Sequence, residues 1–170
     1  MGEASEMRQL QAVLEHCAGY YQQITGSPPG PAEAQHTFSA LPEGRGHADK
    51  RVLGVYAREG ADEALVGCAD LIRGYPVPGT ATVGLFLIVE SRQRQGIGTQ
   101  AFRLVEDSAR DWGCCDRIRI GVVRANERVM PFWIRHGFCP TGQTRPWREG
   151  SVRSEVVFLE KRVPAPATNR

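Results

Sequence analysis

Glu90-Ser91-Arg92-Gln93-Arg94-Gln95-Gly96-Ile97-Gly98-Thr99 joins two stretches of different periodicity. Before it, Thr80 to Val89 is apolar on both faces, which predicts a buried central strand. After it, Ile97, Ala101, Leu104, Val105, Ser108 and Trp112 recur at helical spacing, with Gly113 as the stop. The stretch is therefore a strand-to-helix loop with two glycines at the helix entry. Gly96 and Gly98 let the backbone approach a bulky anion closely. The unpaired N–H groups of the first helical turn point at such an anion, and the helix dipole favours its charge. Arg92 and Arg94 add positive charge beside it. The loop is suited to a phosphate or pyrophosphate.

Working outward, Asp116 to Val123 alternates Ile118, Ile120 and Val122 against Arg117, Arg119 and Gly121, which makes a strand. Strand, loop-helix and strand form a β-α-β unit. Asn126 caps a further helix running to His136, with Gly137 at its end. Pro131 lies inside that helix and predicts a kink before Phe132 and Trp133. Extended structure follows Phe138, and Val152 to Val163 reads as a last strand. Upstream, strands Arg51 to Arg58 and Ala64 to Ile72 flank a turn of hairpin length. Helices over Glu6 to Cys17 and Ala32 to Leu41 precede them. The predicted class is α/β (α+β): one mixed, mostly antiparallel central sheet flanked by helices, and not a doubly wound sheet. One domain over residues 1–163 is expected, with a flexible tail over 164–170. A monomer or homodimer is expected, with Val156 to Leu159 available for pairing between subunits.

The 21 basic and 19 acidic side chains nearly cancel, so no global field marks a nucleic-acid binder. Arg117, Arg119 and Arg124 read as a solvated face. No apolar run approaches the ~18–20 residues of a membrane span. The first residues are acidic and lack an apolar core, unlike a secretory signal. Cys17, Cys68, Cys114, Cys115 and Cys139 show no metal-ligand spacing with histidine and read as reduced thiols, so no metal and a cytoplasmic setting are expected.

Two cofactor classes use a loop of this kind. Gly96-x-Gly98-x-x-Ala101 formally matches the dinucleotide fingerprint. Its context does not: the first glycine lies well beyond the strand end, no carboxylate closes the next strand, and antiparallel hairpins precede the unit. Gln93-Arg94-Gln95-Gly96-Ile97-Gly98, by contrast, resembles the Arg/Gln-x-x-Gly-x-Gly/Ala signature of the GNAT-type N-acetyltransferase superfamily. Downstream, Asn126, Phe132, an aromatic at 133 and Gly137-Phe138 resemble the same family, and the likeness spans roughly residues 50 to 163.

The resemblance implies a GNAT-like acyl-CoA N-acyltransferase fold and acetyl-CoA as co-substrate. It implies that Phe86, Leu87 and Ile88 splay from the next strand and pair with the pantetheine amides. Arg94, Gln95, Gly96, Ile97, Gly98 and Thr99 would hold the pyrophosphate, with Asn126 near the pantetheine arm. The expected activity is transfer of acetyl to a primary amine of a small molecule or peptide, by direct attack in a ternary complex. The other reading is a non-catalytic acetyl-CoA-binding module of the same fold.

Such transfer needs a neutral amine, a polarised carbonyl and a stabilised thiolate. The resemblance assigns the second task to the backbone N–H of Ile88. Trp133 stands where the family often has a tyrosine acid, and an indole N–H is a very poor acid. Asp70 is the candidate base, because a carboxylate within an apolar strand needs a reason. His136 reads as a helix-end residue, Cys139 as packing and Tyr75 as a loop aromatic.

Overall fold

The computed structural model describes residues 4–163; the expected tail lies outside the described residues. Helices α1 (Ala4–Glu15), α2 (Ala18–Thr25) and α3 (Glu33–Ser39) come first. Strands β1 (Lys50–Glu59), β2 (Asp62–Arg73) and β3 (Thr80–Ile88) follow, then α4 (Ile97–Arg110) and β4 (Arg117–Val123). Helix α5 (Met130–Arg135), β5 (Cys139–Glu149) and β6 (Val152–Arg162) complete the order. The six strands form one sheet in the order β1-β2-β3-β4-β6-β5. Only β3 and β4 run parallel, joined by the α4 crossover. The expected mixed, mostly antiparallel sheet is the observed one.

Each face of the sheet has its own core. Ala101, Phe102, Val105 and Ala109 of α4 pack with Trp133 and Phe138 on Ala69, Leu71, Val83, Ile118, Ile120 and Leu159. On the other face, Leu10, Val13, Leu14 and Tyr21 of α1 and α2 cover Val52, Val66, Cys68, Leu87 and Val89. The inward stripe of α4 is shifted from the expected one: Phe102 and Ala109 are buried, Ser108 is half-buried and Leu104 is 65% exposed. The first helix also divides. The chain turns at Cys17 and restarts as α2, which ends at Gly26 in the left-handed conformation (φ 81°).

Three further expectations are corrected. Asn126 does not cap a helix but lies within a 3-10 stretch, Arg124–Val129, at φ −118° and ψ 29°. Helix α5 begins only at Met130, so Pro131 occupies its first turn, where its missing N–H costs no bond, and no kink results. Residues 156–159 belong to β6, which is paired on both sides, by β4 and β5, and so offers no edge for a partner strand; the edge strands are β1 and β5.

Register explains how the sheet opens. Strands β3 and β4 pair from Thr80↔Arg117 to Val83↔Ile120 and no further. On the other side of β3, Asp70 opposes Leu85 while Leu71 opposes Val83, so Gly84 is an extra, bulged residue. A bulge bends and twists its strand. Beyond Gly84, β3 therefore diverges from β4, and a strand expected to be fully buried has an exposed Gly84 and half-buried Leu85 and Phe86.

Candidate active site

The divergence of β3 and β4 opens a cleft of about 590 Å³. It runs between two mouths. The loop before α4, with Arg94, Gly96, Gly98 and Thr99, and the α5 region, with Asn126, Phe132 and Trp133, line one. Tyr20 and Ile24 of α2 line the other. The structure thus gathers Phe86, Leu87, Ile88, Arg94, Gly96, Gly98, Thr99, Asn126 and Trp133 around one space. Gln95 and Ile97 belong to the same loop but are not among the lining residues; Gln95 turns its amide back to Ser91 O (3.0 Å).

The peptide groups of β3 divide by parity. Val89 N donates to Val66 O at 2.9 Å, and the ladder places Leu87 opposite Cys68 and Ile88 opposite Gly67. Antiparallel bonds alternate along a strand. Leu87 therefore directs its peptide groups to β2, while Phe86 and Ile88 direct theirs into the cleft. The carbonyl of Ile88 accepts from Gln93 Nε2 (2.8 Å), which ties the loop to the strand end. The N–H of Ile88 remains directed at the gap.

The loop is a nest of N–H groups. Arg94 has φ 62° and Gly96 φ 82°, and Gly96 opens α4. The first-turn donors at Ile97, Gly98 and Thr99 have no intrahelical partner. A side chain at Gly96 would meet nothing within 4 Å, so glycine is required there by conformation. At Gly98 a Cβ would lie 3.5 Å from Phe132 and 3.9 Å from Ile88, ordinary distances. Packing tolerates a side chain at Gly98, but its place is inside the cleft. Glu90 anchors the loop by accepting the N–H of Gly19 at 2.9 Å. Arg94, Arg128 and Arg135 line the cleft and, among the described residues, no carboxylate does, which suits a polyanion.

Trp133 is a core ring at the cleft wall, 7% exposed, with its centroid 5.3 Å from Phe102 and 5.6 Å from Phe86. His136 hydrogen-bonds Phe132 O at the end of α5. Cys139 is exposed, and neither it nor Tyr75 lines the cleft.

Asp70 stands beside the cleft and does not line it. Its Oδ2 lies 3.2 Å from where a Gly84 Cβ would be and takes Lys50 Nζ at 2.8 Å. The Lys50 side chain is only 3% exposed and also donates to Ala40 O. Asp70 Oδ1 is buried without a hydrogen-bond partner among the described residues. Burial pushes the Asp70 carboxyl above the ordinary carboxylate value, and Lys50 acts in the opposite sense.

Sequence reasoning missed Tyr20, Ile24 and Gly121 as cleft residues. Gly121 carried a signal, being a glycine inside an apolar strand: a Cβ there would fall 2.8 Å from Val156 and 3.3 Å from Phe158. Tyr20 and Ile24 carried none, because only the docking of α2 brings them to the gap.

The model of the acetyltransferase (GNAT) family matches residues 11–138, three quarters of the chain. The chain belongs to the GNAT acetyltransferase family. No curated protein sequence matches this GNAT chain. Its fold is similar to that of an acetyltransferase from Thermus thermophilus (TM-score 0.68, 20% identity, 93% of this chain and 91% of that one). It is also similar to the ribosomal-protein-S18-alanine N-acetyltransferase of Escherichia coli (0.68, 13%, 99% and 95%). Nourseothricin acetyltransferase is a more distant likeness (0.57, 18%, 68% and 66%). No described helix is long and apolar enough to cross a membrane. Among the described residues no cluster of His, Cys, Asp or Glu could hold a metal ion.

Proposed function

We propose that this GNAT protein is an N-acetyltransferase that takes acetyl-CoA and a primary amine together in the cleft. One observation carries the reading: the N–H nest at residues 94–99 opens directly onto the unpaired edge of β3. The open positions at Gly96 and Gly98 fit a pyrophosphate at that nest. Phe86 and Ile88 offer an extended chain the hydrogen bonds a neighbouring strand would take. Acetyl-CoA would supply the acetyl group as a thioester.

In this reading the N–H of Ile88 donates to the thioester carbonyl oxygen as negative charge develops on it. The amine enters from the α2 mouth. Asp70 receives its proton past Gly84, where no side chain intervenes. One N–C bond forms, one C–S bond breaks, and sulfur leaves as thiolate. Trp133 packs the wall and gives no proton. Trp133→Phe should therefore keep kcat within about threefold in a CoA-release assay, whereas loss of a true general acid lowers it by about 10²–10⁴.

The pH dependence follows from Asp70. A base is active when deprotonated, so kcat/KM rises with pH through its pKa. Burial raises that pKa, so the acidic limb should lie above the ordinary carboxylate range, and Asp70→Asn should remove it. A limb that persists in Asp70→Asn assigns it to another group. The reading as a whole is tested by melting temperature with acetyl-CoA, using NADPH as the control, followed by CoA release with a panel of amines. Stabilisation by acetyl-CoA alone is expected; none at millimolar concentration overturns the reading.

A further inference from the structure

Beside the α2 end of the cleft, the outer part of the sheet is exposed. On this face β4 presents Arg119, Gly121 and Val123, since Ile118, Ile120 and Val122 point into the core of the opposite face. Trp147 and Val156 are covered there by α2, whose Ile24 carbonyl accepts Trp147 Nε1 at 2.6 Å. Beyond them β5 is exposed almost throughout.

A ring and two guanidinium groups occupy this open region. The Phe158 ring stands beside Gly121, which lines the cleft. Arg119 lies over that ring, its guanidinium carbon 4.2 Å from the centroid. It is held by Glu160 (2.8 Å) and Gln143 (2.9 Å), so its charge is matched. Arg145 approaches the same ring at 6.0 Å. Among the described residues no carboxylate pairs with it. Asp70 is matched by Lys50 and Glu160 by Arg119. Among the described residues, Arg145 is the exposed cation of this ring cluster without such a partner.

We infer that the Phe158–Arg145 corner is an acceptor subsite for an anionic group, so that the amine accepted by this enzyme carries a carboxylate or phosphoryl group several bonds from its nitrogen. The spacing follows from the sheet: β5 lies two strands from β4, or about 10 Å, so an anion adjacent to the amine would fall short. A guanidinium binds such groups by paired, charge-assisted hydrogen bonds. A polycationic amine finds no carboxylate lining the cleft among the described residues.

This inference rests on the transferase reading. Calorimetric titration of the CoA-saturated protein tests it with γ-aminobutyrate, ε-aminocaproate, their primary amides, aminopropylphosphonate and putrescine. At least one acid should bind about tenfold or more tightly than its amide. Arg145→Ala should bring the acid to the level of the amide, Arg145→Lys should keep part of the preference, and added salt should weaken it. Arg145→Glu should favour putrescine. The carboxylate or phosphonate that binds more tightly names the source of the anion. Equal binding of acid and amide, preference for putrescine in the unaltered protein, or no binding of any acid overturns the inference. CoA binding on the same samples separates the two readings: its absence overturns the transferase reading itself, while CoA binding without acid preference overturns only the subsite.

Discussion

Gly98→Glu should abolish the response to acetyl-CoA while leaving the free protein folded. At a hundredfold excess over its dissociation constant, acetyl-CoA should add about 2.7 kcal/mol, or about 5–11 °C in Tm for a domain of this size. Gly98 lies in the first turn of α4, and a Cβ there makes only ordinary contacts with Phe132 and Ile88. Replacing a helical glycine costs the free protein little. The new side chain must enter the cleft, and its carboxylate repels a pyrophosphate at the same N–H groups. Differential scanning fluorimetry of both proteins with and without acetyl-CoA measures the effect. A full shift retained by Gly98→Glu would place the cofactor elsewhere. Gly96→Glu is a less clean probe, because φ 82° strains any side chain before a ligand is present.

Lys50→Met should be the most damaging single replacement outside the hydrophobic core. The Lys50 side chain is 3% exposed, and its ammonium meets Asp70 Oδ2 at 2.8 Å. Removing one member of a buried pair leaves an uncompensated charge, at a cost of about 3–5 kcal/mol near neutral pH. Thermal and urea unfolding should show the loss. Lys50→Met combined with Asp70→Leu should recover most of it, because the desolvation of both charges is then relieved.

The linkage has a definite sign. Asp70 has a raised pKa in the folded state, so that group favours folding below its unfolded value. Its contribution declines as pH rises from the unfolded value through the raised one. Lys50 holds that pKa down, so Lys50→Met should raise it further. Any activity left in Lys50→Met should then show an acidic limb displaced to higher pH. A limb that moves lower, or stability unchanged in the single variant, would show that the pair is not coupled as described.

Much of this arrangement was legible in the residues. Alternation of Ile118, Ile120 and Val122 against Arg117, Arg119 and Gly121 predicts β4 with the correct inward face, because a strand has a period of two. The loop from Gln93 to Gly98 was readable because its chemistry is that of the backbone: glycines at a helix entry expose N–H groups wherever the helix is placed. The 3-10 stretch around Asn126 was not readable, since Asn126 and Pro131 were both consistent with a longer helix. Asp70 was noticed as anomalous, but Lys50, twenty residues away, gave no sign of meeting it. That contact depends on the β1–β2 register, in which Asp70 opposes Val52.

The residues alone fix the order of elements from β1 to α5, the parallel β3-α4-β4 unit and the glycine-containing entry to α4. Each follows from local periodicity and local backbone chemistry. Where the sheet opens, and what faces the opening, depends on contacts between separate elements. The bulge at Gly84 is defined by the pairing of β2 with β3, and the divergence beyond it by the end of the β4 ladder. The α2 mouth, the Lys50–Asp70 pair and the Phe158–Arg145 corner each join residues from separate elements. Such contacts arise from burial and register across the whole sheet, and no short stretch of residues encodes them.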